Sequence, residues 1–449
     1  MSAVRASLWG FVALLACHAA ALLLASTDEQ QFYTVGSAWP LRIFSPRVVL
    51  LDLGSSVYLV LGTIVVVLAV VLAVKGSLVP VILFGLSVAL LLTLNATQGG
   101  LYQGIAGSVS NPPYFDQMYD DAVGLPPFPA LLSHFDESAT IEHWRSPHTK
   151  SHPPLPLVVL AEARRSGITP GWIAAIELLL AALAPVLALF LYRGLALPRT
   201  SAVDRTAVLL ALTPAVNIYG GTSLEGVLLT LCLSVAATFV WATRRRSLWL
   251  MLASGALFAV AILTSFGALW MAAVVPFLGA LTVPAYLQAR RRRSLETLVF
   301  LAPSLVALSS LRLAFGYDYV AQLIHLSNSA MGVSWLSSVP LFVESRLQNV
   351  FELILLAPPL LVGAWIVAMR SRTEPAIAGR LARLLGIPLG LLLLFTPIYS
   401  EFGRGWLFLY PFLILPMHDL LVDDRDAWIV LATSGAWVLM LQSLGSFGW

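Results

Sequence analysis

The sequence predicts an all-α polytopic membrane protein with about thirteen transmembrane helices and a large outer loop. Hydrophobic residues make up 59% of the 449 residues and charged residues only 11%, and the mean hydropathy is +0.86. Apolar runs long enough to cross a hydrocarbon core of ~30 Å recur along the chain. The arginines stand in short blocks between these runs, a distribution typical of membrane topology. No separate soluble domain is predicted.

The apolar runs predict the transmembrane helices in chain order. They cover residues 8–26, 53–74, 77–95, 168–192, 204–219, 223–242, 248–266, 269–287, 296–314, 350–369, 383–399, 405–421 and 427–445. The first run is also compatible with a signal peptide, since Arg5 precedes an apolar stretch that ends at Ala25-Ser26. The number of later spans favours an uncleaved first helix.

The positive-inside rule places the amino terminus in the cytoplasm and the carboxyl terminus outside. In this orientation the basic blocks all face the cytoplasm: Lys75, Arg193 with Arg199 and Arg205, Arg244 to Arg246, Arg290 to Arg293, and Arg370 to Arg383. The loop of residues 96–155 then lies outside the plasma membrane.

The apolar residues 154–163 give a different topology if they are counted as a further span. About ten residues cannot cross the core, and a span here would place the arginine blocks at 244–246 and 290–293 outside. We therefore expect residues 153–165 to form a short helix at the outer interface. Arg164 and Arg165 would extend from this helix towards the lipid headgroups.

Five segments follow from this topology. Residues 1–95 form three amino-terminal transmembrane helices, and residues 96–167 form the outer loop with its interfacial helix. Residues 168–314 form the transmembrane core, residues 315–349 a second outer loop, and residues 350–449 the carboxyl-terminal transmembrane helices.

Titratable residues are concentrated in the first outer loop. Four of the seven histidines and six of the 23 acidic residues lie between residues 96 and 155, and loops often carry function. Carboxylates there are candidate bases, and histidine, lysine and arginine are candidate ligands for a phosphate. Nucleotide-activated donors are absent from the outer face, so a transferase there would use a lipid-linked donor.

Composition disfavours several other classes of function. Cys17 and Cys232 lie in apolar runs and form no disulfide framework. The net charge of +3 is modest, so no nucleic-acid partner is expected. A divalent metal is possible at His134, Asp136, His143 and His148, but no His-Glu-x-x-His motif is present. No metal ligand and no certain cofactor are assigned.

Three motifs stand in an order that resembles a known family. The outer loop ends in His152-Pro153-Pro154-Leu155-Pro156, the stretch 212–221 (LTPAVNIYGG) precedes Glu225, and a helix of small residues, 255–265, ends in Leu263-Thr264-Ser265. This order resembles the polyprenyl-phosphate-dependent glycosyltransferases of the GT-C fold, in the branch of the protein O-mannosyltransferases and lipid A aminoarabinose transferases. The likeness covers residues ~110–290.

The resemblance implies a GT-C-like bundle and a transferase. The enzyme would move a sugar from a polyprenyl-phosphate donor to an extracytoplasmic acceptor, which could be a glycan, a lipid or a protein. An aspartate would act as the base. In the family a lysine ends the third motif, where this chain has Ser265, and the catalytic loop usually follows the first span, whereas here two further spans intervene.

The resemblance leaves two candidate positions for the base. Asp28-Glu29 follows the first span, and Asp116 with Asp120 precedes the His-Pro-Pro motif. Since the base and this motif share one loop in the family, Asp116 and Asp120 are favoured. They are four residues apart and share a face if residues 114–122 are helical.

The remaining site candidates would bind the phosphate or line the cavity: Arg145, Lys150, His152, Glu225, His325, Glu401 and Arg404. Each also has a structural interpretation. His152 precedes a proline, which favours an extended segment, and Thr222, Ser223 and Glu225 resemble a capping box. Glu401 and Arg404 are three apart and could form a local ion pair.

The sequence is also compatible with two other functions. A lipid or solute transporter is disfavoured because no ionisable residue stands at mid-span depth, apart from Asp52 and His18 near span ends. There is also no obvious inverted repeat. A non-catalytic scaffold with a GT-C-like fold is a third alternative, because a fold alone does not confer function.

Overall fold

A computed structural model gives the architecture of the chain. It describes residues 12, 45–46, 53–110, 118–126, 128–133, 135, 149, 152–195, 197, 200–282, 290–329, 346, 349–350, 352–370, 385–386, 389–390 and 405–446. These residues are mostly helical. The strands found among them, β1 (Ser45–Pro46) and β2 (Gly445–Ser446), form one antiparallel pair. The prediction of a helical protein is confirmed at this level.

The chain divides into two compact units that alternate along the sequence. The first unit contains Met1–Gln98, Leu197–Ile218 and Ser334–Phe447, and the second contains Gly99–Ala196, Tyr219–Val333 and Gly448–Trp449.

The described part of the first unit contains long helices and several short ones. Its helices are α1 (Leu53–Lys75), α2 (Pro80–Ala96), α9 (Thr200–Ala211), α10 (Pro214–Tyr219, whose last residue belongs to the second unit), α16 (Leu361–Arg370), α17 (Tyr410–Leu413) and α18 (Asp424–Leu444), with 3₁₀ turns at Leu407–Leu409 and Leu415–Leu421. The 23 residues of α1 extend ~34 Å at 1.5 Å per residue, enough to cross a hydrocarbon core.

A buried arginine joins three helix ends in the first unit. Arg205 on α9 donates to the backbone oxygens of Val74 (3.0 Å) and Leu421 (2.9 Å) and pairs with Asp424. The carbonyls at a helix carboxyl end have no partner within the helix. The guanidinium therefore donates hydrogen bonds to backbone carbonyl oxygens at the carboxyl ends of α1 and of the second 3₁₀ turn. It lies next to the acidic first turn of α18.

The second unit contains the loop segment singled out in the sequence. Its elements are a π-helical turn (Tyr102–Ala106), α3 (Gly107–Ser110), α4 (Met118–Asp121), α5 (Phe128–Ser133), α6 (Leu155–Arg165), α7 (Pro170–Ala182), α8 (Ala184–Gly194), α11 (Leu224–Arg245), α12 (Leu248–Thr264), a 3₁₀ turn (Phe266–Trp270), α13 (Met271–Thr282), α14 (Arg290–Phe315) and α15 (Tyr319–Ser329).

The hairpin of α11 and α12 is the centre of the second unit. Arg246 ends α11 in the left-handed conformation (φ 55°), and the Ser247 hydroxyl accepts a hydrogen bond from the Leu250 amide (3.3 Å) to start α12. These two residues set the turn, since a left-handed residue ends a helix and a serine caps the next one. A Cβ at Gly255 would collide with the backbone oxygen of Phe300 on α14, so these two helices meet at backbone contact.

The basic carboxyl ends of α8 and α11 lie together. Arg244 at the end of α11 donates to the carbonyl oxygen of Arg193 at the end of α8 (3.1 Å), and Trp241 donates to the Phe190 oxygen (3.1 Å). The opposite end of the unit carries α4, α6 and the start of α7. Arg193 and Arg244 therefore lie at the end of the second unit that is opposite to the acid-rich loop segment.

Four helices among the described residues are long and apolar enough to cross a membrane: Gly54–Lys75, Pro170–Gly194, Leu224–Arg245 and Arg293–Phe315. Shorter apolar helices cover Pro80–Ala96, Leu248–Thr264 and Phe266–Thr282. The count of thirteen spans stays a prediction.

Two predicted spans are not continuous helices. In the span predicted at 204–219 the helix stops at Ala211 and a new one begins at Pro214, because proline lacks the amide that would continue the helical hydrogen bonds. The span predicted at 405–421 consists of 3₁₀ and α-helical turns, in which Pro411 and Pro416 occupy the second position of α17 and of the second 3₁₀ turn.

Candidate functional site

The acidic turn α4 lies against the end of helix α6. The Arg164 guanidinium stands 4.4 Å from the ring centre of Tyr119 and donates to the Tyr119 backbone oxygen at 2.7 Å. The same guanidinium lies 3.9 Å from the Asp120 carboxylate. A predicted base and a cation that could bind a phosphate are thus neighbours. Both are partly exposed, so the ion pair itself contributes little to stability.

Arg165 also binds the outer loop. Its guanidinium donates to the backbone oxygens of Leu125 (2.8 Å) and Pro126 (2.7 Å) and pairs with Glu162. The helix predicted at 153–165 is confirmed as α6, but the prediction that its arginines extend towards lipid headgroups is corrected. They bind backbone oxygens of the preceding segment, because carbonyls outside regular structure need donors.

The His-Pro-Pro motif forms the turn that starts α6. Pro153 and Pro154 are buried and His152 is half-buried. The His152 backbone oxygen accepts from the side-chain amide of Gln322 (3.2 Å), whose oxygen accepts from the Tyr317 hydroxyl. Both partners come from the predicted second outer loop, more than 160 residues away in sequence.

A second contact joins the acidic turn to this motif. The Thr149 hydroxyl donates to the Asp121 carboxylate at 2.8 Å, and Thr149 precedes His152 by three residues. The acidic turn is therefore attached at both ends of α6: through Arg164 at its end, and through Thr149 just before its start.

Helix α15 is attached to the same end of the second unit. Its N-cap is Asp318, whose carboxylate accepts from the amides of Val320 and Ala321 (both 3.0 Å) and lies 3.3 Å from Arg312. The Tyr319 hydroxyl donates to the Ile262 oxygen (3.1 Å), and burial raises the pKa of this hydroxyl above its usual value. The backbone of His325 belongs to α15, and its side chain lies outside the described residues.

An apolar cavity of about 380 Å³ opens beneath α6. Most of its walls are hydrocarbon, and the polar side chains among them are Glu177 and Thr264. The lining residues are Met118, Leu155, Pro156, Val159, Leu160, Ala163, Ile168, Ile173, Ile176, Glu177, Leu180, Leu224, Val227, Leu231, Val260 and Thr264. The cavity therefore extends from the acidic turn and the His-Pro-Pro helix to helices α7, α11 and α12.

Glu177 corrects one expectation of the sequence analysis. It lies on α7, within the candidate span Pro170–Gly194, and follows Pro170 by seven residues, ~10 Å along the axis at 1.5 Å per residue. An ionisable residue does stand inside a candidate span and beside a cavity. Such residues are rare in membrane segments and usually serve a function.

Only some of the predicted site residues lie within the described part of the chain. Asp120 and His152 lie on the two segments that meet at α6, as described above. Asp28, Glu29, Asp116, Arg145, Lys150, Glu401 and Arg404 lie outside the described residues, as do the metal candidates His134, Asp136, His143 and His148. Their roles stay predictions, including the approach of Arg404 to His152 within about 15 Å, the reach of one phosphate and a bridging water.

Glu225 lies in the tightly packed first turn of α11. Helix α11 begins at Leu224, as the sequence predicts, but the Ser223 side chain makes no capping bond and donates instead to the Tyr219 oxygen (2.7 Å). Glu225 is buried, and a Cβ on the adjacent Gly226 would collide with the Gly220 carbonyl oxygen. The capping-box prediction is thus right about the helix start and wrong about the serine bond.

The described residues contain no group of three histidine, cysteine, aspartate or glutamate side chains that could hold a metal ion. No protein-family model, no characterised protein and no solved structure matches this chain.

Three residues of this site escaped the sequence analysis as functional candidates. Arg164 and Gln322 act through contacts between segments distant in sequence, which no local pattern reveals. Glu177 did have a signal, because it is a single acidic residue inside an apolar stretch.

Proposed function

We propose that this chain is a glycosyltransferase of the plasma membrane that moves a sugar from a polyprenyl-phosphate donor to an extracytoplasmic glycan, lipid or protein. The observation that carries the proposal is the pairing of Asp120 with Arg164 close to Met118 and Ala163, which line an apolar cavity. An enzyme that uses a lipid-phosphate donor requires a carboxylate as the base, a cation for the phosphate and an apolar site for the hydrocarbon chain. The proposal also rests on the motif resemblance to the GT-C transferases.

The proposed chemistry needs one base and one cation. An acceptor hydroxyl forms a bond to the anomeric carbon while the bond from that carbon to the phosphate oxygen breaks. The acceptor proton passes to the Asp120 carboxylate, and Arg164 stabilises the negative charge on the departing polyprenyl phosphate. Asp116 is the other candidate for the base, and Asp28 and Glu29 are the alternative in the first loop.

The proposed orientation follows from the arginines. The end of the second unit that carries Arg193 and Arg244 faces the cytoplasm, in keeping with the positive-inside rule. The acidic turn, α6 and α15 then face outwards, and the amino terminus is cytoplasmic. Membrane lipids surround the apolar helices, and no nucleic acid is involved.

The test is mass spectrometry of envelope glycans, lipids and glycoproteins from cells that lack this chain. A sugar that disappears from one of these, and returns with the wild-type chain but not with an Asp120→Asn chain, supports the proposal and identifies the product. Unchanged glycans, lipids and glycoproteins in cells without the chain contradict it.

A lipid or solute transporter is the second candidate, and Glu177 is the observation that favours it. Ionisable residues beside intramembrane cavities mark transport pathways. Detergent solution distinguishes the two functions, because a transferase still forms product there, whereas transport needs two compartments. Movement of a fluorescent polyprenyl phosphate between the leaflets of proteoliposomes, without product in detergent, would support the transporter.

A further inference from the structure

We propose that the three consecutive arginines at the carboxyl end of α11, Arg244, Arg245 and Arg246, bind the phosphodiester headgroup of an anionic membrane phospholipid. This site lies at the end of the second unit opposite to Asp120 and Arg164. It is therefore separate from the proposed transferase site, and it binds lipid whether or not the chain transfers a sugar.

The three arginines form no ion pair with a carboxylate in the part of the chain that the structure describes. Arg244 donates from one terminal nitrogen to the backbone oxygens of Arg193 (3.1 Å) and Gly194 (3.5 Å). All three side chains are exposed. Adjacent like charges repel each other, so a bound anion lowers the electrostatic energy of this cluster.

The indole of Trp241 holds two of the arginines close together. The guanidinium carbon of Arg244 lies 5.4 Å from the centre of this ring and that of Arg245 lies 5.1 Å from it, within the range of cation–π attraction. The indole nitrogen donates to the Phe190 oxygen at 3.1 Å, which fixes the orientation of the ring. Two guanidinium groups on one fixed ring are preorganised for a phosphate, whose oxygens can accept hydrogen bonds from both.

The backbone of Arg246 indicates that its side chain is needed at this position. Arg246 has φ 55° and ψ 38°, and no other described residue except glycine has a positive φ. Glycine usually ends a helix in this conformation, because it lacks the Cβ that makes the conformation unfavourable. Residues are kept in such conformations where the side chain has a function. Here the side chain adds a third positive charge just beyond the helix end.

The apolar neighbours of the cluster favour a lipid over a soluble anion. Leu248 and Trp249 follow almost directly in the sequence, and they are 44% and 81% exposed. An exposed tryptophan beside arginines is typical of the membrane interface, where the indole lies at the level of the headgroups. Helix α11 is itself long and apolar enough to cross a membrane, so the arginines at its end reach that level. The hydrocarbon of a lipid covers Leu248 and Trp249, whereas a soluble anion leaves them in water.

A second basic block lies at the same end of the second unit. Helix α14 begins with the four arginines Arg290 to Arg293. At its other end the ring of Phe315 packs against that of Phe128 on α5, with 5.3 Å between the ring centres. The start of α14 therefore lies away from α5, at the end of the unit that carries Arg244. Positive charge collected at one end of the helices attracts an anionic lipid surface.

The experiment uses the purified full chain in a neutral detergent, mixed with equal amounts of phosphatidylglycerol and phosphatidylcholine that carry the same acyl chains. Native mass spectrometry counts the molecules of each lipid that stay bound. An arginine near an anionic headgroup contributes roughly 5-fold in affinity, so three arginines should give a preference for phosphatidylglycerol of roughly 10²-fold at low salt. Added salt should reduce this preference, because it screens exposed charges.

Removal of two arginines tests the site itself. In the double variant Arg245→Gln with Arg246→Gln, the preference for phosphatidylglycerol should fall by roughly 25-fold. Lys75→Gln with Arg425→Gln is the matched control, because both side chains are exposed, both belong to the first unit, and the net charge changes by the same amount. The control should keep a preference close to that of the wild type.

Arg246→Gly separates the function of this side chain from its effect on folding. Glycine adopts the left-handed conformation readily, so the unfolding temperature without lipid should stay the same or rise. The preference for phosphatidylglycerol should fall by roughly 5-fold, the contribution of one arginine. An unchanged preference would contradict the role of Arg246 in binding.

Equal binding of the two lipids by the wild type would overturn the proposal, as would an equal loss of preference in the double variant and in its control. Glycerophosphoglycerol, the same headgroup without acyl chains, tests the source of the phosphate. It should not displace the lipid at the same concentration, and equal competition would mean that the cluster binds a soluble phosphodiester and no lipid. No sugar donor is present in this assay, so a chain without transferase activity can still pass it, and an active transferase can fail it.

Discussion

At the scale of single residues, the site is organised by side chains that bind backbone oxygens. Arg164 and Arg165 bind the oxygens of Tyr119, Leu125 and Pro126, and Gln322 binds that of His152. A backbone acceptor is present whatever the residue type. The position of the acidic turn therefore depends on these donors as well as on its own side chains, through the contacts of Asp121 with Thr149 and of Tyr119 with Arg164.

Replacement of Asp120 tests the proposed base. Asp120→Asn keeps the shape and removes the basicity, so turnover should fall by roughly 10² to 10⁴, the usual contribution of general base catalysis. Asp121→Asn is the matched control. The Asp121 carboxylate accepts a hydrogen bond from the Thr149 hydroxyl, and the side-chain oxygen of an asparagine can accept the same bond. Product formation from the lipid-linked donor in detergent is the measurement, alongside protein yield.

The same assay separates the alternative bases. If Asp120→Asn and Asp116→Asn both keep full activity while Asp28→Asn abolishes it, the base lies in the first loop. Loss of activity in Asp121→Asn equal to that in Asp120→Asn would mean that the turn as a whole, and not one carboxylate, is required.

Gly226 offers a second test at the residue scale. Gly226→Ala would place a Cβ on the Gly220 carbonyl oxygen, and such overpacking typically costs about 1–3 kcal/mol or more. The turn before α11 should therefore be disturbed and the unfolding temperature lowered. Gly171→Ala is the control, because its nearest contact would be the Thr169 hydroxyl at 3.9 Å. Equal unfolding temperatures for both variants would show that the turn relaxes freely.

At the scale of elements, α15 connects two parts of the site. Asp318 caps its start. Gln322 donates a hydrogen bond to the His152 carbonyl oxygen, and the Tyr319 hydroxyl donates one to a backbone oxygen near the end of α12. The helix has only 11 residues, and helices this short are marginal in isolation. Its stability therefore depends on the cap and on these contacts.

Removal of the cap should loosen α15 selectively. In Asp318→Ala the amides of Val320 and Ala321 lose their acceptor, which costs about 0.5–2 kcal/mol. Asp318→Asn keeps an acceptor oxygen and removes only the pairing with Arg312, so its effect should be smaller. Hydrogen exchange of residues 319–329 is the measurement. Faster exchange in Asp318→Ala than in Asp318→Asn is expected, and identical exchange in all three chains would contradict the role of the cap.

Elements were predicted best where their signals are local. The end of α1 at Lys75, the start of α11 at Leu224 and the short helix α6 follow from the apolar runs and from the prolines, serines and arginines beside them. The break between Ala211 and Pro214 also had a local signal in the proline, which the length of the apolar run obscured.

The site was less predictable because its contacts are distant in sequence. Nothing near Gln322 indicates that it binds His152, and the apolar cavity exists only because α6 lies across α7, α11 and α12. Glu177 is the exception, since a carboxylate in an apolar run can be recognised without a structure.

At the scale of the whole molecule, sidedness is the property to test. Ser166 is exposed just after α6, and Ser77 is exposed after Lys75 at the end of α1. In a chain with Cys17 and Cys232 replaced by alanine, Ser166→Cys should react with an impermeant maleimide in intact cells, as should Ser110→Cys. Ser77→Cys should react only after permeabilisation, because the positive-inside rule places it in the cytoplasm. The reverse pattern would invert the topology.

The close approach at Gly255 has a consequence for handling the protein. Lipid tails are as apolar as leucine, so helices in a membrane are held together by close packing and not by exclusion of water. The contact between α12 and α14, with Phe258 stacked on Phe300 at 5.1 Å, is of this kind. Detergent tails that replace the lipid are no more apolar than lipid tails, and they cannot pack against either helix as closely as the two helices pack against each other. This helix pair should therefore remain assembled during extraction, and with it Val260 and Thr264, the residues of α12 that line the cavity.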